Sequence, residues 1–218
     1  MSIDIAAVPF REHEGLLLVS KPSGIPTHSP GDGKEGFVEL LTVHTGIPLK
    51  VCHRLDAETS GAMVFGITDE ATKKICKLFE IHEVKKRYLF VTDRPLPSRK
   101  EQVVRSHIKK FRGRHVSWPN HEDLNSETEI RFLSSHGKLS LWEAFPKTGK
   151  PHQIRLHAKE LKIPVLGDKM HGGSKFERLM LHADQLQFMW GEELLTHRAE
   201  VPEAFEYVNY SSYTFHKA

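Results

Sequence analysis

The feature that most limits the folds open to this chain is the alternation of short apolar runs with Pro- and Gly-rich punctuation. The punctuation falls at KPSGIPTHSPGDG (21–33), RPLPS (94–98) and WPNHED (118–123). Residues 15–20 read as a buried strand and residues 37–44 as a short helix. Residues 62–67 form an apolar run between Gly61 and the pair Thr68-Asp69, a strand that feeds a capped helix. That helix covers about 70–80, because Ala71, Ile75, Leu78 and Phe79 recur at i, i+4, i+7 and i+8 on one face.

Further on, residues 87–92 are aromatic and β-branched enough for a strand. Residues 127–132 and 138–144 are two more strands, joined as a hairpin around His136-Gly137. In PHQIRLHAKEL (151–161), Pro151 suits a first helical turn, Ile154, Ala158 and Leu161 keep helical spacing, and Pro164 is the expected stop. The stretch from 178 to Tyr207 reads as strands joined by short turns. Runs of strands interrupted by a few helices predict an α+β fold with a mixed, mostly antiparallel central sheet and flanking helices.

The 218 residues are enough to bury a core and are read as one domain spanning 1–218, or as two lobes sharing a sheet. A hydrophobic content of 39% with 27% charged residues excludes the disordered and membrane classes. No apolar run approaches the roughly 20 residues of a membrane helix. The N-terminus has no basic segment ahead of a secretory apolar stretch, so a cytoplasmic location is expected. Cys52 and Cys76 then read as reduced interior thiols.

Net charge is only +3, but its distribution is uneven. Residues 85–115 hold eleven Lys and Arg against two acids, Asp93 and Glu101, a local +9 that leaves −6 for the rest. A basic stripe on an acidic body is the footprint of a chain that grips a phosphate backbone. Residues 94–120 are therefore expected as a basic loop or insertion in which Lys109, Lys110, Arg112 and Arg114 meet RNA, with Phe111 and Trp118 as stacking groups. For an arbitrary charge run, a solvated loop would be the simpler account.

HRLDAETSG (53–61) is a compact polar loop between apolar segments, with one carboxylate beside Arg54 and two hydroxyls. A lone RLD would be a turn with a surface ion pair. Here, however, the segment resembles the signature of the RluA-type pseudouridine synthases, HRLD followed by two variable positions and TSG, and all seven fixed positions are present. VSKPSGIPTH (19–28), KRYLFV (86–91), GKPHQIRLHA (149–158), VLGDKMHGG (165–173) and RLMLHADQLQF (178–188) resemble other blocks of that family in the same order.

The resemblance implies a pseudouridine synthase fold with a catalytic cleft, and an isomerase that converts uridine in structured ribosomal or transfer RNA to pseudouridine. It assigns Asp56 as the nucleophile, Tyr88 as the aromatic that stacks on the uracil and takes its C5 proton, and Arg155 as the cation that keeps Asp56 ionised. Burial alone would push a carboxylate toward its neutral form, which is why such a cation is needed. Arg54 is expected to fill the gap left by the flipped base or to hold the adjacent backbone, with Thr59, Ser60, Gly61, His152 and Gln153 as further substrate contacts. His53 and Leu55 are expected to pack the loop against the body.

Two departures from the family pattern are Lys150 in place of an arginine and His171 in place of a tyrosine. Many relatives also carry a small RNA-binding module ahead of the catalytic domain, but here KPSG begins at residue 21, so substrate selection is expected to rest on the catalytic domain itself. No cofactor is expected, and no metal: there is no HExxH or paired-cysteine pattern, and His152 and His157 are five apart, off a common helix face. A monomer without membrane association is expected. The competing readings are a non-catalytic RNA-binding protein on the same fold, whose mark would be loss of Asp56, Tyr88 or Arg155, and a hydrolase or transferase using Asp56, which would need a phosphate cradle or metal carboxylates.

Overall fold

A computed structural model describes residues 4–31, 33 and 35–208. Positions 32, within the expected loop 21–33, and 209–218, within the expected single domain, lie outside the described residues. In chain order the strands are β1 (Phe10–His13), β2 (Leu16–Lys21), β3 (Lys50–Val51), β4 (Ser60–Gly66), β5 (Lys85–Thr92), β6 (Glu101–Phe111), β7 (Arg114–Trp118), β8 (Ser126–His136), β9 (Leu139–Pro146), β10 (Leu181–Trp190) and β11 (Glu193–Arg198). The α-helices are α1 (Phe37–Thr45), α2 (Asp69–Glu80) and α3 (Gln153–Glu160). This is the expected α+β class, rich in antiparallel strands and poor in helix. Among the described residues no helix is long and apolar enough to cross a membrane.

The chain divides into two compact units. Of the described residues, one unit comprises those up to Lys86 together with Ala183–Glu200, and the other comprises Arg87–His182 and those from Val201 to Val208.

In the first unit the strand order is β1-β2-β4-β10-β11, with β3 on β4. β2 and β4 run antiparallel with Leu16 opposite Gly66 and Lys21 opposite Gly61. Leu16 to Val19 and every residue of β4 are buried, the continuous burial of a strand covered on both faces. Helix α2 begins where expected: the Thr68 hydroxyl caps it by accepting from Ala71 N at 3.2 Å. Its Ala71 and Ile75 join Leu16, Leu18, Val64, Phe188 and Trp190 in the core of this unit. Cys52 and Cys76 are free and half-buried, and burial with the neighbouring Cys76 thiol pushes Cys52 up to about 12, which keeps it protonated.

In the second unit the order is β5-β9-β8-β6-β7, every pair antiparallel. β8 and β9 meet at His136 opposite Leu139, so the expected hairpin turn is Gly137-Lys138. A bulge between Phe132 and Ser134 shifts their register. Phe90, Ile130, Trp142 and Phe205 are fully buried in a core that also takes Ile154 and Ala158 of α3.

Three expectations are corrected in this unit. The basic segment is not a loop: residues 101–118 are mostly β6 and β7, because Val104, Ser106 and Ile108 alternate inward while the charges face out. Helix α3 starts at Gln153, with Pro151 in the turn before it and His152 at the cap in a left-handed conformation. It ends at Glu160, before Pro164, because Lys162 adopts φ 62° and Ile163 N reaches back to Ala158 O at 3.0 Å. Finally, the stretch to Tyr207, expected as strands joined by short turns, ends instead in a 3-10 helix, Glu203–Val208, that buries Phe205 and Val208.

Candidate active site

In the first unit the HRLDAETSG loop joins β3 to β4 and is held from beneath by the 21–27 segment. The Thr27 hydroxyl donates to Leu55 O at 3.0 Å and accepts from Leu55 N at 3.1 Å, so one side chain satisfies both backbone groups of the residue before Asp56. Lys21 is 1% exposed, and its ammonium donates to the carbonyls of Pro22, Ile25 and Ala57 at 2.9, 2.7 and 3.1 Å. A lysine can be buried because three oxygens surround its charge. Ser23 Oγ donates to Glu58 O at 2.6 Å, and Gly24 N to Ala57 O at 2.8 Å.

His53 packs the loop inward, as expected. Its Nε2 accepts from Val64 N at 3.0 Å and its ring stacks on Phe79, 4.4 Å between centroids. Burial, then the charge of Lys86, lower its pKa to about 3, so the imidazole stays a neutral acceptor near pH 7. Leu55 is buried, Asp56 is half-buried and Arg54 is exposed. Thr59 and Ser60 are interior at 2% and 4% exposure. Gly61 has φ 122°, and a Cβ there would fall 2.1 Å from Ala183 O. The glycine of the signature is thus required twice, by backbone conformation and by the strand alongside.

In the second unit Tyr88 lies on β5 opposite Ala144, half-buried against the core. Its neighbour Arg87 is ion-paired with Glu143, Nε to Oε2, at 2.8 Å. Arg155, in the first turn of α3, is 2% exposed and forks onto Asp168: Nε to Oδ2 and Nη2 to Oδ1, both 2.8 Å. Asp168 Oδ1 also accepts from Met170 N and His171 N at 3.0 Å. Burial works to raise the Asp168 pKa, but the Arg155 hydrogen bonds and charge outweigh it and hold the carboxylate below its ordinary value.

His152 Nδ1 lies 2.8 Å from His171 Nε2, a pair in which the tautomers decide the donor. His171 is 5% exposed and burial lowers its pKa to about 4. Gln153, expected to touch substrate, has its hydrogen-bonding positions taken within the fold. Its Oε1 accepts from Thr148 Oγ1 and Lys150 N, and its Nε2 donates to Glu127 O and Thr128 Oγ1. It therefore shapes the turn ahead of α3. Behind it, His157 is fully buried among Ser106, Ser126 and Thr128 hydroxyls at 2.9, 3.2 and 2.8 Å.

The four basic residues expected to meet RNA are all exposed on the β6–β7 hairpin. Arg112 and Gly113 form its two-residue turn with φ 48° and 80°, the positive pair of a type I′ hairpin. The register puts Lys109, Phe111, Arg114 and Trp118 on one face. There Lys109 Nζ stands 5.3 Å from the Trp118 ring centre, and Phe111 meets Trp118 edge-on at 6.1 Å. Among the described residues, no three His, Cys, Asp or Glu side chains are arranged to hold a metal.

Lys21, Thr27, His157 and Asp168 lie within the blocks 19–28, 149–158 and 165–173, but the sequence gives none of them a role. For Asp168 the signal is indirect, since a buried arginine such as Arg155 demands a carboxylate.

The first unit thus presents one aspartate on a braced loop, and the second holds an arginine on a buried carboxylate and an exposed cationic hairpin. Residues 15–160 match the family described as RNA pseudouridylate synthase, and the chain belongs to that family, in its RluA-type branch. It is accordingly an isomerase, a pseudouridine synthase. An uncharacterized RNA pseudouridine synthase of Haemophilus influenzae is 31% identical over 81% of this chain and 80% of its own length. Ribosomal large subunit pseudouridine synthase C of Rickettsia bellii is 30% identical over 90% of this chain and 69% of its own length. tRNA pseudouridine synthase C of Vibrio cholerae is 28% identical over 89% and 91%. Among solved structures, human RNA pseudouridylate synthase domain containing 4 aligns with a TM-score of 0.74 at 26% identity, covering 90% of this chain and 89% of that one.

Proposed function

We propose that this enzyme isomerises uridine in ribosomal or transfer RNA, with Asp56 as the nucleophile, Tyr88 as the ring that stacks on the uracil and receives its C5 proton, and Arg155 as the cation that keeps Asp56 ionised. The observation that carries this reading is the HRLD loop: Thr27 and Lys21 hold its backbone on either side of Asp56, the preorganisation a nucleophile needs.

The reaction neither gains nor loses atoms. Asp56 attacks the target nucleoside and the bond from N1 to the ribose C1′ breaks. The uracil turns, C5 bonds to C1′, the bond from Asp56 to the nucleoside breaks and restores its carboxylate, and the proton leaving C5 is balanced by one gained at N1. No redox or group-transfer partner enters this scheme. Asp168 sets the plane of the Arg155 guanidinium through its Nε edge, which makes it a positioning residue for the proposed cation. Arg54, exposed two residues before the nucleophile, is assigned to the RNA beside the flipped base, and buried Thr59, Ser60 and Gly61 support the loop under the substrate. Lys109, Lys110, Arg112 and Arg114 take the phosphate backbone, His152 contacts the substrate region ahead of α3, and the enzyme works as a cytoplasmic monomer.

The test is tritium release from transfer and ribosomal RNA labelled at uridine C5. The wild type is expected to release tritium, and Asp56→Asn to release none while still binding RNA. Equal release by Asp56→Asn would refute the assignment.

A further inference from the structure

A cavity of about 540 Å³ opens in the second unit between β7, α3 and the turn at 169–171. Its volume lies within the range of small-molecule sites. Arg114, Lys159 and Lys169 contribute three cations to its wall, against one carboxylate, Glu160. That carboxylate is engaged: Glu160 accepts from Ser117 Oγ, which lies 2.6 Å from Ser106 Oγ and accepts from it. Val116, Leu156 and Met170, the last 54% exposed, supply the apolar part of the wall, which Ser117 and His115 also line. His171 closes one side, with His152 behind it and His115 5.2 Å from the His152 ring.

From this lining we infer that the cavity is a binding site for one unpaired nucleotide of the RNA, its phosphate among Arg114, Lys159 and Lys169 and its base against Met170 and Val116. The inference rests on the RNA-modifying reading above and adds a second point of contact, separate from the target uridine. A nucleotide is the ligand that joins an anionic group to a flat, weakly polar ring, and this wall offers both complements within one concavity. Methionine is polarizable and adapts to any base face, so the base contact is sequence-tolerant. His171, kept neutral near pH 7 by burial, has its Nε2 held by His152 at 2.8 Å and forms a fixed side of the cavity. Arg114 belongs also to the exposed cations of the β6–β7 hairpin, so a strand leaving the cavity continues along Arg112 and Lys109. That continuity favours a nucleotide within a polymer over a free one.

The experiment uses the full chain with C5-tritiated transfer and ribosomal RNA, and measures kcat, KM and the salt dependence of RNA binding. Lys159→Gln combined with Lys169→Gln should raise KM by roughly tenfold, more than it lowers kcat, and should reduce the slope of log affinity against log salt by about 0.7, one single-stranded phosphate. Met170→Glu, at an exposed position, should raise KM similarly, while Lys138→Gln at the β8–β9 turn should change nothing. RNA carrying 4-thiouridine should crosslink on irradiation to the peptide containing Met170. If the wild type releases tritium but the double variant matches it in KM and salt slope, the nucleotide site is overturned and the reaction stands. If the wild type releases none, the reaction reading falls. The cavity is then judged by equilibrium RNA binding and crosslinking, where unchanged affinity in the double variant overturns it.

Discussion

Thr27→Val isolates the support of the catalytic loop from the chemistry. Valine keeps the shape of threonine and removes only the hydroxyl, which donates to Leu55 O and accepts from Leu55 N at 3.0 and 3.1 Å. Thr27 is 3% exposed and Leu55 8%, so water does not simply replace the lost partner. Two buried backbone groups are left unsatisfied at about 1–3 kcal/mol each, partly relieved by relaxation, for a net loss of about 2–4 kcal/mol. In a chain of this length that lowers Tm by roughly 4–16 °C. Because Asp56 follows Leu55 directly, relaxation of that backbone also misplaces the carboxylate, and a shift of about 1 Å can lower kcat by about 100-fold. Thr27→Ser is the control, since it keeps the hydroxyl and loses one methyl group, about 1 kcal/mol. Chemical denaturation gives the stability difference and tritium release gives kcat. Thr27→Val and Thr27→Ser alike in both measurements would refute the claim that this hydroxyl holds the loop.

His157 supplies a pH-dependent prediction. Burial lowers its pKa from 6.5 to about 4, so the unfolded chain takes up a proton before the folded one. Its contribution is fully present above pH 6.5 and is lost as pH falls toward 4, on the order of 3 kcal/mol over that window. His157→Gln should lower stability at pH 7 and shrink the fall between pH 7 and 4; denaturation curves at three pH values check this, and an undiminished fall would show that the proton goes elsewhere. Neutralising Lys109, Lys110, Arg112 and Arg114 together should weaken RNA binding and flatten its salt dependence with the fold retained, because all four are exposed on the hairpin. Unchanged affinity in a filter-binding titration would remove the hairpin from the RNA surface.

The elements read best from sequence are those set by local physics. The apolar run of β4 followed by Thr68 and the i, i+4 face of α2 required only the preferences of neighbouring residues, and α2 begins one residue from its expected start. The hairpin at Gly137 was legible for the same reason. The β6–β7 hairpin was obscured because its charges draw attention away from the inward alternation of Val104, Ser106 and Ile108. Pro164 marks the end of α3 in the sequence because a proline is visible there, whereas the left-handed turn at Lys162 is not.

The signature itself named the family and the aspartate that is proposed to react, since an ordered set of chemically distinct residues survives as a linear pattern. Which groups hold that aspartate's loop, and which carboxylate holds Arg155, was decided by the path of the chain. Thr27 reaches Leu55 across 28 positions, Lys21 reaches Ala57 across 36, and Arg155 finds Asp168 across 13. A buried polar group requires a partner but does not specify where in the sequence that partner lies. The tertiary structure makes that choice, and with it turns Gln153 from an expected substrate contact into a brace for the turn ahead of α3.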